Sequence, residues 1–374
     1  MKAATEKFTL KILKYNIVRV VRVVVLFMCG VVTLSQISGC DETPPPPQQA
    51  PPASQSPPPT PINDTIKGAW HHYHIHGVDA IAHAVACAGE LKQIVQTFMQ
   101  STTAENLQQS RTTLETCWTR YQISRVFVAA NPDVQTEMDQ VRQQIAAPLT
   151  MPGFIDAVTG YPFSGIVNDA SLPLSKESLL QQQGLTDISE VSIGFSVLRF
   201  LLWGEYFQND TLEPRPIADF QPVHQWTARE KTLGLGELNI SEHPNNRRRR
   251  YMELAVLILE EHLNQLATTW NKHTQPPQNM NLANQVRDQI ATQILAALKQ
   301  IKPNYHDMLA NTLVPLFIPF PSTADNEPIK PTLSDWLVIK DENAAAELTH
   351  QEKPLGAKLA NIHLMLADST NNVP

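Results

Sequence analysis

Glycine is scarce in this 374-residue sequence, with only 14 residues, which argues against a collagen-like protein or a turn-rich all-β protein. Charged residues make up only 17%, and the net charge of −7 gives no support to a nucleic-acid-binding surface. No repeat of fixed period is visible, which disfavours a solenoid. The sequence also lacks a Gly-x-Ser-x-Gly elbow, a phosphate-binding loop and a dinucleotide fingerprint. We therefore expect that the protein has no nucleic-acid partner and that it is not an enzyme of the kinds that carry these three motifs.

The first 39 residues have the pattern of a secretory signal. Six basic residues within residues 1–22 precede an apolar stretch at 23–34, which is shorter than the roughly 20 residues that a membrane-spanning helix needs. The stretch is followed by Ile37-Ser38-Gly39-Cys40, which resembles a bacterial lipobox. We expect cleavage before Cys40 and lipidation of its thiol, and an uncleaved membrane anchor is the alternative.

This signal predicts a protein of the bacterial cell envelope that is anchored to a membrane by its N-terminal lipid and faces the periplasm. In enteric bacteria, an acidic residue at the position of Asp41 resembles an inner-membrane retention signal. That rule depends on the kind of bacterium, so both the inner and the outer membrane remain alternatives. Residues 40–61 form a proline-rich linker with ten prolines between Pro44 and Pro61. Such a segment favours extended polyproline II and suits a semi-rigid tether, with a ligand for a partner domain as the alternative.

The globular part, residues 62–368, has mostly helical periodicity. The strongest helices are predicted at 251–270 and 281–301, and the second has an apolar residue at every fourth position from Leu282 to Leu298. Two clusters of prolines mark irregular crossings between helices. The sequence predicts an all-α fold of antiparallel helical bundles.

Two cysteines lie in the globular part. Cys87 and Cys117 are equally distant from a predicted turn at 101–103, so the two thiols should face each other across a helical hairpin. An oxidising compartment permits a disulfide there, and two free cysteines that pack in the core are the alternative.

Residues 187–205 carry the strongest family pattern. Asp187 and Glu190 predict a capping box at the start of a helix that ends at Gly204. The string from Gly194 to Gly204 (GFSVLRFLLWG) resembles the signature of the imelysin family, Gly-x-His-x-x-Glu followed by Phe-Leu-Leu-Trp-Gly. Further matching features are Trp118, the Tyr161-Pro162 step and the arginine run before Tyr251, and the resemblance is convincing over residues 75–272 and thin beyond them.

The resemblance implies two pseudo-symmetric helical bundles, with a boundary at about 150–185. It also implies a peptidase label and a link to iron uptake and metal handling. The motif histidine falls on Ser196 and the motif glutamate on Arg199, and neither side chain suits a metal, because a guanidinium stays cationic and has no lone pair to offer. We therefore expect no metal at the motif, and an ion pair between Arg199 and an acidic residue of a neighbouring helix that lines the cleft. The candidate ligand cleft comprises Gly194, Ser196, Arg199 and Trp203.

Two further clusters are candidate sites. On a helix, His72, His76 and His83 would share one face and could bind iron or zinc. A solvated start of the first helix is the alternative, and the sequence favours it. The run from Arg247 to Arg250 (Arg247, Arg248, Arg249 and Arg250) opposes the dipole at a helix N-terminus. It needs either acidic partners within the protein or an anionic ligand such as a phosphate or a lipid headgroup.

Three functions fit the sequence. The first is a non-catalytic binding or accessory lipoprotein with a cleft around Ser196 and Arg199, without a required cofactor. The second is a metallopeptidase with a relocated set of ligands, drawn from the N-terminal histidines. The third is a structural or assembly partner in the envelope. Arg199 favours the first and the third, so enzymatic activity is not expected.

Overall fold

The computed structural model describes residues 59–317, 320–321, 328–329, 332–336 and 353–370. No helix within these residues is long and apolar enough to cross a membrane.

The predicted signal peptide, the lipidation site Cys40 and the proline-rich linker as far as residue 58 lie outside the described residues. The signal, the lipid anchor and the tether therefore stay predictions.

Helices dominate the described chain, which confirms the all-α prediction. The helices are α1 (Asp64–Gln100), α2 (Ala104–Val128), α3 (Pro132–Ala146), α4 (Lys176–Gln182), α5 (Phe195–Trp203), α6 (Ala228–Thr232), α7 (Pro244–Lys272), α8 (Met280–Gln300), α9 (His306–Phe317), α10 (Leu333–Trp336) and α11 (Leu355–Thr370). Two two-residue strands, β1 (Phe320–Pro321) and β2 (Pro328–Ile329), pair antiparallel, with Phe320 opposite Ile329.

The first two long helices form an antiparallel hairpin. Asn63 caps α1 by accepting a hydrogen bond from the amide of Ile66, and Thr103 caps α2 in the same way. Cys87 and Cys117 are joined by a disulfide across the hairpin, with their Cα atoms 5.3 Å apart. The predicted pairing of the two cysteines is confirmed.

Helix α7 packs along α1 and α3. Pro244 occupies its first turn, where a missing amide proton costs nothing, and the His243 side chain caps it. Near its C-terminus Trp270 is fully buried and packs over Gly77 of α1, where an added Cβ would lie 2.3 Å from the indole ring. Glycine at position 77 therefore allows the two long helices to approach closely.

A single hydrophobic cluster joins residues from α1 through α11. Helix α8 packs on α2, and α9 and α11 pack on each other. The predicted bundle boundary at 150–185 falls in a segment of short helices and turns between α3 and α5. Helices on both sides of that segment contribute to the same core, and the division of the helical domain into two bundles stays a prediction.

The predicted helix at 187–205 was wrong in its start and right in its end. Helix α5 begins only at Phe195, because Gly194 has φ +92°, outside the helical region. Glu190 does accept hydrogen bonds from the amides of Thr186 and Asp187, as a capping residue would, but it closes a loop instead of a helical turn. The helix ends at Gly204, which also has a positive φ.

Candidate functional site

A cleft of about 420 Å³ opens between α2, the end of α5 and the residues that follow α8. Its walls combine aromatic and charged side chains. The residues that matter most for its chemistry are Glu115, Trp118, Arg199, Trp203, Phe207 and Lys302.

Arg199 forms a two-pronged ion pair with Glu115 in the cleft. Its Nε lies 2.7 Å from Oε1 of Glu115, and its Nη2 lies 3.0 Å from Oε2. The guanidinium also lies over the rings of Trp118, at 4.8 Å, and Phe207, at 5.5 Å. The Arg199 and Glu115 side chains are 12% and 24% exposed. The predicted ion pair between Arg199 and an acidic residue of a neighbouring helix is present.

A second cation reaches the same carboxylate. Nζ of Lys302 lies 3.6 Å from Oε2 of Glu115, and the Lys302 side chain is largely exposed. Glu115 is therefore paired with two cations. The charges of Arg199 and Glu115 in the cleft therefore compensate each other without any ligand.

The four residues predicted to form the cleft do not all line it. Arg199 and Trp203 do. Ser196 instead donates its hydroxyl hydrogen bond to the carbonyl of Ala147, at 2.7 Å. At Gly194 an added Cβ would lie 2.2 Å from the carbonyl oxygen of Gln144. Among the described residues, Gly194 and Ser196 therefore act as packing contacts between α3 and α5.

These residues do not fit a metal ion at the family motif. The Ser196 hydroxyl already donates to a backbone carbonyl, and the Arg199 guanidinium adds a fixed positive charge. Within the described part of the chain, no group of three or more His, Cys, Asp or Glu side chains is arranged to hold a metal.

A buried ion cluster beside α7 was missed by the sequence analysis. Asp156 is fully buried, and its Oδ2 lies 2.6 Å from Nε of Arg248 and 3.0 Å from Nη2 of Arg215. Burial alone would raise the pKa of Asp156, but the two guanidiniums hold that pKa below its usual value. The arginine run signalled one member of this cluster, whereas nothing in the local pattern marked Asp156.

Two other members of the arginine run are also committed to protein acceptors. Arg247 is buried and pairs with Glu242 while donating to three backbone carbonyls. Arg249 donates to two backbone carbonyls and to the hydroxyl of Thr102. The interpretation that partners lie within the protein thus accounts for Arg247, Arg248 and Arg249. The exposed Arg250 lies 3.8 Å from Glu253, a weaker partner that is also within the protein.

The structure brings together two of the three candidate histidines. Nε2 of His72 lies 3.1 Å from Nε2 of His76 on the same face of α1, whereas His83 is exposed two turns further along. Burial lowers the pKa of His72 to about 4, and the neighbouring His76 and His71 add to the effect. His72 is therefore neutral at physiological pH.

Comparison with known proteins gives one family match. The model of the family described as Imelysin matches residues 77–327, more than half of the chain. The match includes both disulfide cysteines and the whole cleft, and it extends beyond residue 272, where the sequence pattern alone was thin. No match was found among the curated proteins.

Proposed function

The chain belongs to the imelysin family, and from this premise we propose that it is a lipid-anchored, periplasm-facing binding protein. We infer that it takes its ligand in the cleft, cleaves no peptides and serves iron or other metal uptake.

The observation that supports this proposal most strongly is the ion pair between Arg199 and Glu115. In the family signature that this chain resembles, a glutamate that would bind a metal stands at the position of Arg199. Here a permanent cation takes that position and neutralises the facing carboxylate of α2. A metal-activated water for peptide hydrolysis has no support in such a site, because the guanidinium would repel a divalent ion.

The rest of the cleft suits a small ligand. Its volume lies in the usual range for small-molecule sites, roughly 300–1,000 Å³. Trp118, Trp203 and Phe207 offer flat apolar faces, and Lys302 offers an exposed cation at the rim. This combination favours a compact ligand that carries acidic groups, such as a carboxylate chelate of iron.

The envelope location rests on the sequence. The signal, the Cys40 motif and the proline-rich linker would hold the helical body away from the membrane surface on its periplasmic side. A tethered binding protein of this kind could deliver its ligand to a membrane partner.

The proposal can be tested on the intact lipoprotein in detergent with two assays. The first measures cleavage of insulin B chain with and without added zinc or iron(II), and we expect no cleavage. The second follows tryptophan fluorescence during titration with ferric citrate, and we expect saturable quenching. Trp203→Ala should weaken that binding at least about tenfold, whereas Tyr161→Ala, at an exposed position away from the cleft, should not.

Two results would contradict the proposal. Metal-dependent cleavage of insulin B chain that disappears in Glu115→Gln would restore the metallopeptidase hypothesis. If ferric citrate gives no saturable quenching of the wild type, and Trp203→Ala responds in the same way as the wild type, the result would favour the structural or assembly role.

A further inference from the structure

Helix α1 carries two imidazoles whose Nε2 atoms share a hydrogen bond. His72 and His76 are four residues apart, so they are neighbours on one helical face. Their Nε2 atoms are 3.1 Å apart, and the rings are nearly perpendicular, with centroids separated by 4.6 Å.

This separation is close to that of two nitrogen ligands on one metal. With Zn–N bonds of about 2.0–2.1 Å in tetrahedral geometry, two ligand nitrogens lie about 3.3 Å apart. We propose that His72 and His76 form a two-histidine chelate for a divalent transition-metal ion of the zinc and copper class, with both Nε2 atoms as ligands. To bind the ion, the two Nε2 atoms must give up the hydrogen bond between them and separate by about 0.2 Å.

The surroundings hold the pair in place. His72 is buried and His76 is partly buried, so their side chains lose little freedom when an ion binds. The carboxylate of Asp79, three residues after His76, acts electrostatically on the His76 imidazole and adds negative charge beside the site. Imidazole ligands suit zinc, copper, nickel and iron, and water completes the coordination.

One feature limits the affinity. Nδ1 of His72 is buried and has no hydrogen-bond partner, so the metal-free ring is best accommodated with its proton on Nε2 and donated to His76. An ion on Nε2 moves that proton to Nδ1, where no acceptor receives it. The site should therefore bind more weakly than a structural zinc site with four protein ligands.

The pair is separate from the cleft. It precedes the family match, which begins at residue 77, whereas the cleft is built by α2, α5 and the end of α8. The inference does not depend on the proposed function, and a cleft variant such as Arg199→Met should leave metal binding at the pair unchanged.

Calorimetry with Zn²⁺ on the intact lipoprotein tests the proposal. We expect one site whose affinity falls at least tenfold in His76→Gln. His83→Gln is the matched control, because His83 lies on the same helix but is exposed and away from the pair, and its affinity should equal that of the wild type. Thermal unfolding without metal would show whether each variant still folds.

Electron paramagnetic resonance of bound Cu²⁺ gives an independent readout on the unmodified protein. Two coordinated nitrogens are expected in the wild type, and one in His76→Gln. Equal zinc affinity in the wild type and His76→Gln would overturn the proposal, and so would a wild-type copper spectrum without nitrogen coupling.

Discussion

At the scale of single residues, the charges of the cleft and of the buried cluster beside α7 lie in ion pairs. Arg199 finds both oxygens of Glu115, and Arg248 finds Asp156. Removing one member of such a pair leaves the other in a poorly solvated place, which costs more than the pair contributes when intact. The two pairs therefore give the sharpest predictions about stability.

Arg199→Met should lower the free energy of unfolding by about 1–3 kcal/mol, because Glu115 loses its closest partner and keeps only the exposed Lys302. Arg199→Glu should be worse, since it places two carboxylates together. Urea denaturation measures both effects. The control is Arg250→Met, whose cation is 57% exposed and 3.8 Å from Glu253; it should change stability by less than about 0.5 kcal/mol. Equal losses at positions 199 and 250 would contradict the ion pair.

Asp156→Asn should lower stability at pH 7 by about 3–5 kcal/mol, because it leaves the buried guanidinium of Arg248 without a carboxylate and that of Arg215 with only the more distant Asp219. The pKa of Asp156 is held below the ordinary value of 3.8 in the folded state. Its contribution is therefore fully present above about pH 4 and is lost as the pH falls further toward the folded-state pKa.

Urea denaturation between pH 7 and pH 3 measures this dependence. The gap between the wild type and Asp156→Asn should be constant above pH 4 and narrow below it. Asp64→Asn, at an exposed ion pair with Lys67, is the control and should leave the curve close to that of the wild type. A gap that widens as the pH falls would rule out the ionised form of Asp156 in the cluster.

The sequence predicted Arg199 well and Asp156 not at all, for a physical reason. Arg199 lies in an apolar helical run, where any charge must be paired. The residues next to it in the sequence therefore predict that it is partly buried and needs an acidic partner. Asp156 lies in an irregular, proline-containing segment, and an aspartate there is usually solvated. Only the long-range contact with α7, made 92 residues later in the sequence, buries it.

At the scale of elements, the presence of a helix was easier to predict than the residue at which it starts. Periodic apolar residues predicted the helices of the α1–α2 hairpin. The equal distance of Cys87 and Cys117 from the turn predicted the disulfide, because both cysteines lie in regular helix. The start of α5 was misplaced because Asp187 and Glu190 have capping chemistry. The backbone at Gly194, held against the carbonyls that end α3, decides instead where the helix begins.

Gly194→Ala should therefore destabilise the protein severely. An alanine Cβ would meet the Gln144 carbonyl at 2.2 Å, on a backbone with φ +92°. Gly184→Ala is the matched control, since it also has a positive φ but no atom within 4 Å of an added Cβ, and strain alone should cost about 1–2 kcal/mol. Thermal unfolding should place Gly194→Ala at least about 2 kcal/mol below that control. Comparable losses would mean that the close approach of α3 and α5 is relaxed in solution.

At the scale of the whole molecule, the all-α architecture followed from periodicity, and the family from one string of eleven residues. The way the helices combine into one core was not predictable, because the segment between α3 and α5 has no periodicity to say which helices meet across it. The N-terminal lipoprotein signal differs from the helical core, because it was predicted entirely from the sequence. It can be tested without reference to the helical body.

Cys40 should be the lipidated residue, because it follows the basic segment, the short apolar stretch and the small residues that a lipoprotein signal requires. In cells given a fatty-acid probe, the wild type should be labelled and processed, whereas Cys40→Ala should be unlabelled and keep its precursor size. Cys29→Ala is the matched control, since Cys29 lies within the apolar stretch at 23–34 and removes a thiol without altering the cleavage motif. It should be labelled like the wild type. A labelled Cys40→Ala protein would place the acyl chain elsewhere, and the tether would then begin at a different residue.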